Sequence, residues 1–243
     1  MTAPSVRSLF VATHLVRGGQ AADDGGLAWF HTGAPHEELG GVLLARPDRI
    51  DEAVDALAGR PALWHSWPGS ADADIEDDLL GRGFRFVEEE PVMVLDLHAL
   101  GRTPAAPSGL ELREVDDHAG LASWVRVWSG TEPDPAIVTA LATAGLGTGR
   151  SVHHLIATLD GAPVGCSAAV AAGGAVAVEH VVTDARHRGR GIGTALTSAA
   201  LRTGLAAGAR HAVLSASPDG AGLYRRLGFV QRDTVRRFAA AAE

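Results

Sequence analysis

Three apolar runs, Val152 to Leu159, Val164 to Val170 and Ala175 to Thr183, follow one another with only Asp160-Gly161 and Gly173-Gly174 at the breaks. Dipeptides of this kind adopt the positive φ angles of tight hairpins, so the pattern predicts an antiparallel meander. Upstream, Leu110 to Val115 reads as a strand. Leu121, Trp124, Val125 and Trp128 then recur at i, i+3, i+4 and i+7, the spacing of a helix with one apolar face, for which Asp116 is a suitable cap. A loop over 129–135 leads into a second helix carrying Ile137 and Leu141, with Pro135 in its first turn. Downstream the pattern predicts a helix from about Ile192 to Gly208, a strand at His211 to Ser217, a short helix at Gly220 to Leu227 and a closing strand at Val230 to Phe238.

The first hundred residues give weaker signals. They predict a helix near Val6 to Val16, strands near Leu27 to His31 and Val42 to Ala45, and a helix with Ile50, Val54 and Leu57 on one face. Pro61 to Trp67, Ile75 to Leu80 and Val92 to Leu97 then repeat the strand, short helix and strand that close the chain. Leu79-Leu-Gly-Arg-Gly-Phe84 parallels Tyr224-Arg-Arg-Leu-Gly-Phe229, which points to an internal duplication. The segment from Gly101 to Gly109 has two prolines, two glycines and no hydrophobic period, as a connector does. The expected organisation is therefore a domain over 1–100, a linker over 101–108 and a second domain over 109–243.

A formal net charge of −8 argues against a general nucleic-acid binder, which needs a basic face, and favours amine or basic ligands. The single cysteine, Cys166, has no internal disulfide partner and lies in a strand of small apolar residues, the setting of a buried, inert thiol in a reducing compartment. The chain has no apolar run of membrane-spanning length, and its first twenty residues lack the order of a secretion signal. A cytoplasmic location and no membrane partner are expected.

Between the third meander strand and the following helix lies Arg186-His-Arg-Gly-Arg-Gly-Ile-Gly193. Glycines at 189, 191 and 193 permit close approach of a ligand to the backbone. The helix behind them points its unpaired N–H groups and positive dipole end into the loop, which is the make-up of an anion site. Arg188 and Arg190 add charge. The register excludes a dinucleotide fingerprint, because Thr194-Ala195-Leu196 supplies no third glycine where one is required, and no lysine follows as a Walker loop demands.

Arg188-Gly-Arg-Gly-Ile-Gly193 resembles the Arg/Gln-x-x-Gly-x-Gly/Ala signature of the GNAT superfamily of N-acetyltransferases. Leu223-Tyr-Arg-Arg-Leu-Gly-Phe229 resembles its second signature. The resemblance covers 109–239 and extends in degenerate form to the first half, as in tandem members of the superfamily. It implies an α/β (α+β) GNAT fold: a mixed, mostly antiparallel central sheet flanked by helices, in two GNAT-like halves. The cosubstrate it implies is acetyl-CoA or another acyl-CoA, without a metal. Backbone amides of Arg188, Gly189, Arg190, Gly191, Ile192, Gly193 and Thr194 would bind its pyrophosphate, and the strand edge at Val181, Val182 and Thr183 would pair with the pantetheine amides, as an open edge can. The N–H near Val182 would meet the developing oxyanion.

The same resemblance implies that Tyr224 lies near the CoA sulfur, to protonate the departing thiolate or hydrogen-bond it, and that Glu179 stands where some members of the family place a general base, to free an acceptor amine of its proton directly or through water. His180 faces the other way on a regular strand. Glu132 and Asp134 occupy the loop where the family places acceptor specificity, and Trp124 and Trp128 line either the pocket or the core. Ser217 stands where the family often has asparagine, so its cofactor contact has shorter reach. Adjacent His153 and His154 face opposite ways and cannot share a metal. In the first half Ala45-Arg-Pro-Asp-Arg49 precedes the corresponding helix without glycines, and Pro47 has no N–H to offer a phosphate. That half is expected to be a scaffold that completes the sheet or the acceptor pocket. The expected activity is transfer of an acyl group to a primary amine of a small molecule or peptide by direct attack, with a non-catalytic acyl-CoA sensor as the rival. Neither the acceptor nor the oligomeric state is written in these motifs.

Overall fold

The computed structural model describes residues 5–57, 59–68, 73–101 and 103–240; Arg102 of the expected linker and the outer residues of both expected domains lie outside them. In chain order the elements are α1 (Val6–His14), β1 (Gln20–Asp23), β2 (Leu27–His31), β3 (Gly40–Ala45), α2 (Ile50–Leu57), β4 (Leu63–Ser66), α3 (Ala73–Gly81) and β5 (Arg85–Asp96). The second half follows with β6 (Leu110–Glu114), α4 (His118–Ser129), α5 (Pro135–Gly145), β7 (Val152–Leu159), β8 (Ala162–Ala172), β9 (Ala175–Thr183), α6 (Ile192–Ala206), β10 (His211–Ser215), α7 (Ala221–Arg226) and β11 (Val230–Ala239).

The described strands form one sheet of eleven, in the order β1-β2-β3-β4-β11-β5-β10-β9-β8-β7-β6. Only the β3–β4 and β9–β10 pairs are parallel. At the centre the two halves exchange their closing strands. β11 leaves its own half to lie between β4 and β5, and β5 lies between β11 and β10. The first half thus completes the sheet of the second, with Val92 opposite Ser215 and Val94 opposite Val213. Arg236 and Arg237 face Glu89 and Glu88 across the exchanged pair, so opposite charges sit directly opposed, as a stable ladder prefers.

Helix packing also crosses the halves. α1, from the first half, lies against β8, β9, β10, β11 and β5. Its Leu9 and Phe10 join Trp124, Ile137, Leu141 and Cys166 in one core cluster. On the other face α6 packs so closely on the sheet that a Cβ at Gly204 would lie 2.3 Å from Val176.

Both hairpin dipeptides behave as their residues require, with φ of 52° and 78° at Asp160-Gly161 and 57° and 77° at Gly173-Gly174. α5 starts with Pro135 at its first turn behind the cap Asp134. The cap of α4 is Asp117, which accepts from the Gly120 N–H at 2.6 Å, and not the neighbouring Asp116. The pattern does not predict β1, because all four of its residues are exposed and carry no alternation. Among the described residues no helix is long and apolar enough to cross a membrane.

Candidate active site

β9 and β10 run parallel and pair only over His211–Val213 with Ala175–Ala177. Beyond Ala177 the two strands part, and the break coincides with a bulge in β9. There Cys166 faces Val182 but Ala168 faces Glu179, and His180 takes the extra place with φ of 52°. A bulge bends and twists its strand, which is what opens the sheet here. Past it, the Asp184 N–H bonds the Val164 carbonyl at 2.9 Å. Alternation along an antiparallel ladder turns Val182 the same way, so its N–H points to β8 while the polar groups of Val181 and Thr183 face the gap. Of the edge expected over Val181, Val182 and Thr183, the first and third present their polar groups to the gap, and the Val181 N–H is the one beside the bulge.

The glycine loop closes one end of this gap. Gly189 and Gly191 have φ of 73° and 83°, a left-handed conformation that side chains resist. Gly191 caps α6 without a side-chain hydrogen bond, which leaves the first-turn N–H groups of Ile192, Gly193 and Thr194 directed into the loop. Gly193 is needed for packing, since a Cβ there would lie 3.2 Å from Leu223 on α7. Arg190 is exposed, Arg188 donates to the Thr183 carbonyl at 3.3 Å, and Arg186 is spent on Asp184 at 2.9 Å. These groups fit a pyrophosphate: several unpaired N–H donors, two exposed guanidinium groups and no Cβ in the way.

At the other end the gap widens into a cavity of about 390 Å³ between the two halves. Val181, Val182, Ser217 and Tyr224 line it from the second half. Tyr224 is nearly buried on α7, and burial, with the charge of Glu90 nearby, raises its hydroxyl to about 12. It is a protonated donor at neutral pH. The Ser217 hydroxyl accepts from the Gly220 N–H at 3.2 Å and also faces the cavity.

Glu179 and His180 both line the same cavity, because the bulge abolishes the alternation that would have separated them. The Glu179 carboxylate is clamped by Arg17, with His14 Nε2 at 3.5 Å and His180 Nε2 at 4.0 Å. Burial pulls Arg17 down to about 9, which still leaves it charged at neutral pH. His14 and His180 are pushed well below the usual imidazole range, first by burial and then by Arg17, and burial takes His65 down to about 3. The histidines of the cavity are therefore neutral.

Four carboxylates line the cavity, Glu38, Glu88, Glu90 and Glu179, against two guanidinium groups, Arg17 and Arg237. Three of those carboxylates, together with Arg17, His14 and His65, come from the first half. Sequence reasoning did not single them out. The signal that would have found Glu88 and Glu90 is a pair of alternate acidic residues on the strand Arg85–Asp96, with apolar neighbours further along. The acidic loop residues that were singled out do other work: Glu132 forms a two-bond pair with Arg126 at 2.9 and 2.8 Å, and Asp134 caps α5.

The two tryptophans also divide. Trp124 is fully buried and donates to the Ser167 carbonyl at 2.8 Å, whereas Trp128 lines the cavity with its ring 5.1 Å from that of His180. His153 pairs with Glu114 at 2.6 Å while His154 packs against Trp124 on the core side, so the two do face opposite ways. Among the described residues no group of three or more potential metal ligands is assembled.

Residues 150–231, which contain the gap, the glycine loop and Tyr224, match the family model described as an acetyltransferase (GNAT) domain. The chain's whole fold is similar to that of a GCN5-related N-acetyltransferase from Kribbella flavida, with a TM-score of 0.70 at 20% identity over 98% of this chain and 95% of that one. A putative acetyltransferase of the GNAT family from Novosphingobium aromaticivorans is similar with a TM-score of 0.60 at 16% identity over 97% of each chain. A tandem GNAT protein from the clavulanic acid biosynthesis pathway gives 0.58 at 18% identity over 89% of this chain and 79% of that one. No curated protein sequence matches the chain.

Proposed function

We propose that this protein is a cytoplasmic acyl-CoA-dependent N-acyltransferase, with acetyl-CoA as cosubstrate and a primary amine of a small molecule or peptide as acceptor. The observation that carries the reading is that Val181, at the open edge of β9, lines the cavity together with Tyr224 and also lies beside Gly193 of the glycine loop, within a segment that matches a GNAT domain. Acetyl-CoA supplies the acyl group as an activated thioester. The N–H groups from Gly189 to Thr194 would hold its pyrophosphate, with the side chains of Arg188, whose own N–H bonds the Ala185 carbonyl, and Arg190 alongside, and Val181 and Thr183 would pair with the pantetheine amides. The Val181 N–H would face the reacting carbonyl, and the Ser217 hydroxyl lies within the same space.

Tyr224 gives its proton to the departing sulfur. Its raised proton affinity keeps it in the donor form throughout the neutral range. Glu179, ion-paired with Arg17, draws the acceptor nitrogen toward the thioester. Among the described residues the first half carries no second cradle. Its α2 follows a single 3-10 turn, Pro47–Arg49, in which Arg46 and Asp48 satisfy each other, so it acts as scaffold and cavity wall.

A panel of amines assayed for thiol release from acetyl-CoA tests the reading. Turnover with some amines, falling about 10²-fold or more in Tyr224→Phe, is the expected result. Binding of acetyl-CoA without turnover, unaffected by Tyr224→Phe, favours the sensor reading instead, toward which the clamp of Arg17 on Glu179 leans.

A further inference from the structure

Of the four carboxylates in the cavity, Glu90 alone combines burial with a free oxygen. It lies on β5, the strand that the first half inserts between β10 and β11, and is 5% exposed. Its Oε1 accepts from Arg237 Nη2 at 3.2 Å, while its Oε2 is buried without a hydrogen-bond partner among the described residues. It lines the cavity together with Tyr224, whose hydroxyl feels its charge. Glu179, by contrast, is ion-paired with Arg17 and is the less buried of the two. A buried carboxylate oxygen with no partner costs stability, and a substrate N–H is the donor that would satisfy it.

Given the transferase reading above, we infer that Glu90 takes the proton of the acceptor ammonium, so that the second half works with a base delivered by the exchanged strand of the first. The ammonium loses one proton to Glu90 Oε2 and keeps the electron pair. That pair forms the N–C bond to the acyl carbon as the C–S bond breaks toward sulfur. Tyr224 protonates the sulfur, and the second proton leaving nitrogen restores the tyrosine. One proton per turnover thus remains on Glu90 and passes to solvent.

The surroundings suit this role. Burial raises the proton affinity of Glu90 above that of an ordinary carboxyl, against the pull of Arg237 on β11 and the Ser215 hydroxyl on β10. Glu88 on its own strand and Glu38 add to the rise.

The test compares Glu90→Gln and Glu179→Gln with the wild type in kcat/KM from about pH 6 to pH 9, using an alkylamine and an alkoxyamine whose nitrogen is already neutral in that range. Glu90→Gln is expected to lose about 10²-fold or more with the alkylamine and to lose the acid limb of the profile. It is expected to recover to within about tenfold of wild type with the alkoxyamine, because no proton then needs removal. Glu90→Asp should restore part of the alkylamine rate, and acetyl-CoA affinity should be unchanged in all variants. An unaltered rate and acid limb in Glu90→Gln overturns the assignment, as does an equal loss with both acceptors, which marks a structural role. Wild-type turnover alongside either result leaves the transferase reading intact, whereas absence of wild-type turnover with every amine sinks both.

Discussion

The two ends of the exchanged strands carry the same turn with different side chains. In the first half Phe84 N–H bonds the Leu79 carbonyl at 3.0 Å around Gly83, with φ of 86°; in the second Phe229 N–H bonds the Tyr224 carbonyl at 3.0 Å around Gly228, with φ of 96°. Each helix is stopped by a left-handed glycine and pinned by a phenylalanine that packs inward. Yet Leu79 stands where Tyr224 does, and Pro47 stands near the position at which the second half has its glycines. Backbone geometry repeats where packing demands it, while the tyrosine and the glycine loop occur in one copy. The first half is not idle for that reason: it contributes a strand, a helix and most of the charged wall of the cavity.

The comparison breaks most sharply at the tyrosine. Tyr224→Phe should lower turnover about 10²-fold or more while leaving the melting temperature near wild type, as thiol-release kinetics and calorimetry would read. Leu79 is fully buried among Trp64, Ile75 and Phe84, so the matched substitution Leu79→Ala should do the reverse. It is expected to cost about 3 kcal/mol of stability in a urea titration, with acetyl-CoA affinity unchanged.

A smaller effect is shared by both halves. Burial holds His65, in the first half, and His154, in the second, at about 3. Unfolded, each would take up a proton below its ordinary value of about 6.5, so the folded state loses ground as the pH falls through that value. The stability is complete above about pH 6.5, and each histidine should withdraw about 2 kcal/mol by pH 5. Urea midpoints at the two pH values measure the slope, and His65→Asn and His154→Asn should flatten it to similar extents. A slope untouched by either change would mean that other groups govern acid stability.

Most elements were legible because their residues are locally decisive. The paired glycine turns, the i, i+3, i+4 stripe of α4 and the Pro135 start of α5 each specify their own geometry. The glycine loop was legible for the same reason, since its φ angles admit few other residues. What the chain order conceals is the exchange: nothing in Arg85–Asp96 or Val230–Ala239 states which strand each will pair with. Glu90 and Glu179 therefore meet in one cavity although 89 positions separate them, and residues that look suited to an acceptor site, Glu132 and Asp134, are consumed by a salt bridge and a helix cap. The bulge at His180 was equally hidden, because no glycine marks its positive φ. It puts His180 on the cavity side that strict alternation denies it.

We expect only the second half to bind the acyl-CoA. Calorimetric titration of the whole chain with acetyl-CoA tests it, with Gly191→Val and Pro47→Ala as the paired variants. A β-branched residue resists the φ of 83° at Gly191 and crowds the loop, so Gly191→Val should weaken binding about tenfold or more. The account predicts one molecule bound per chain, weakened by Gly191→Val and unaffected by Pro47→Ala. Two molecules per chain, or a single site indifferent to Gly191→Val, would contradict it.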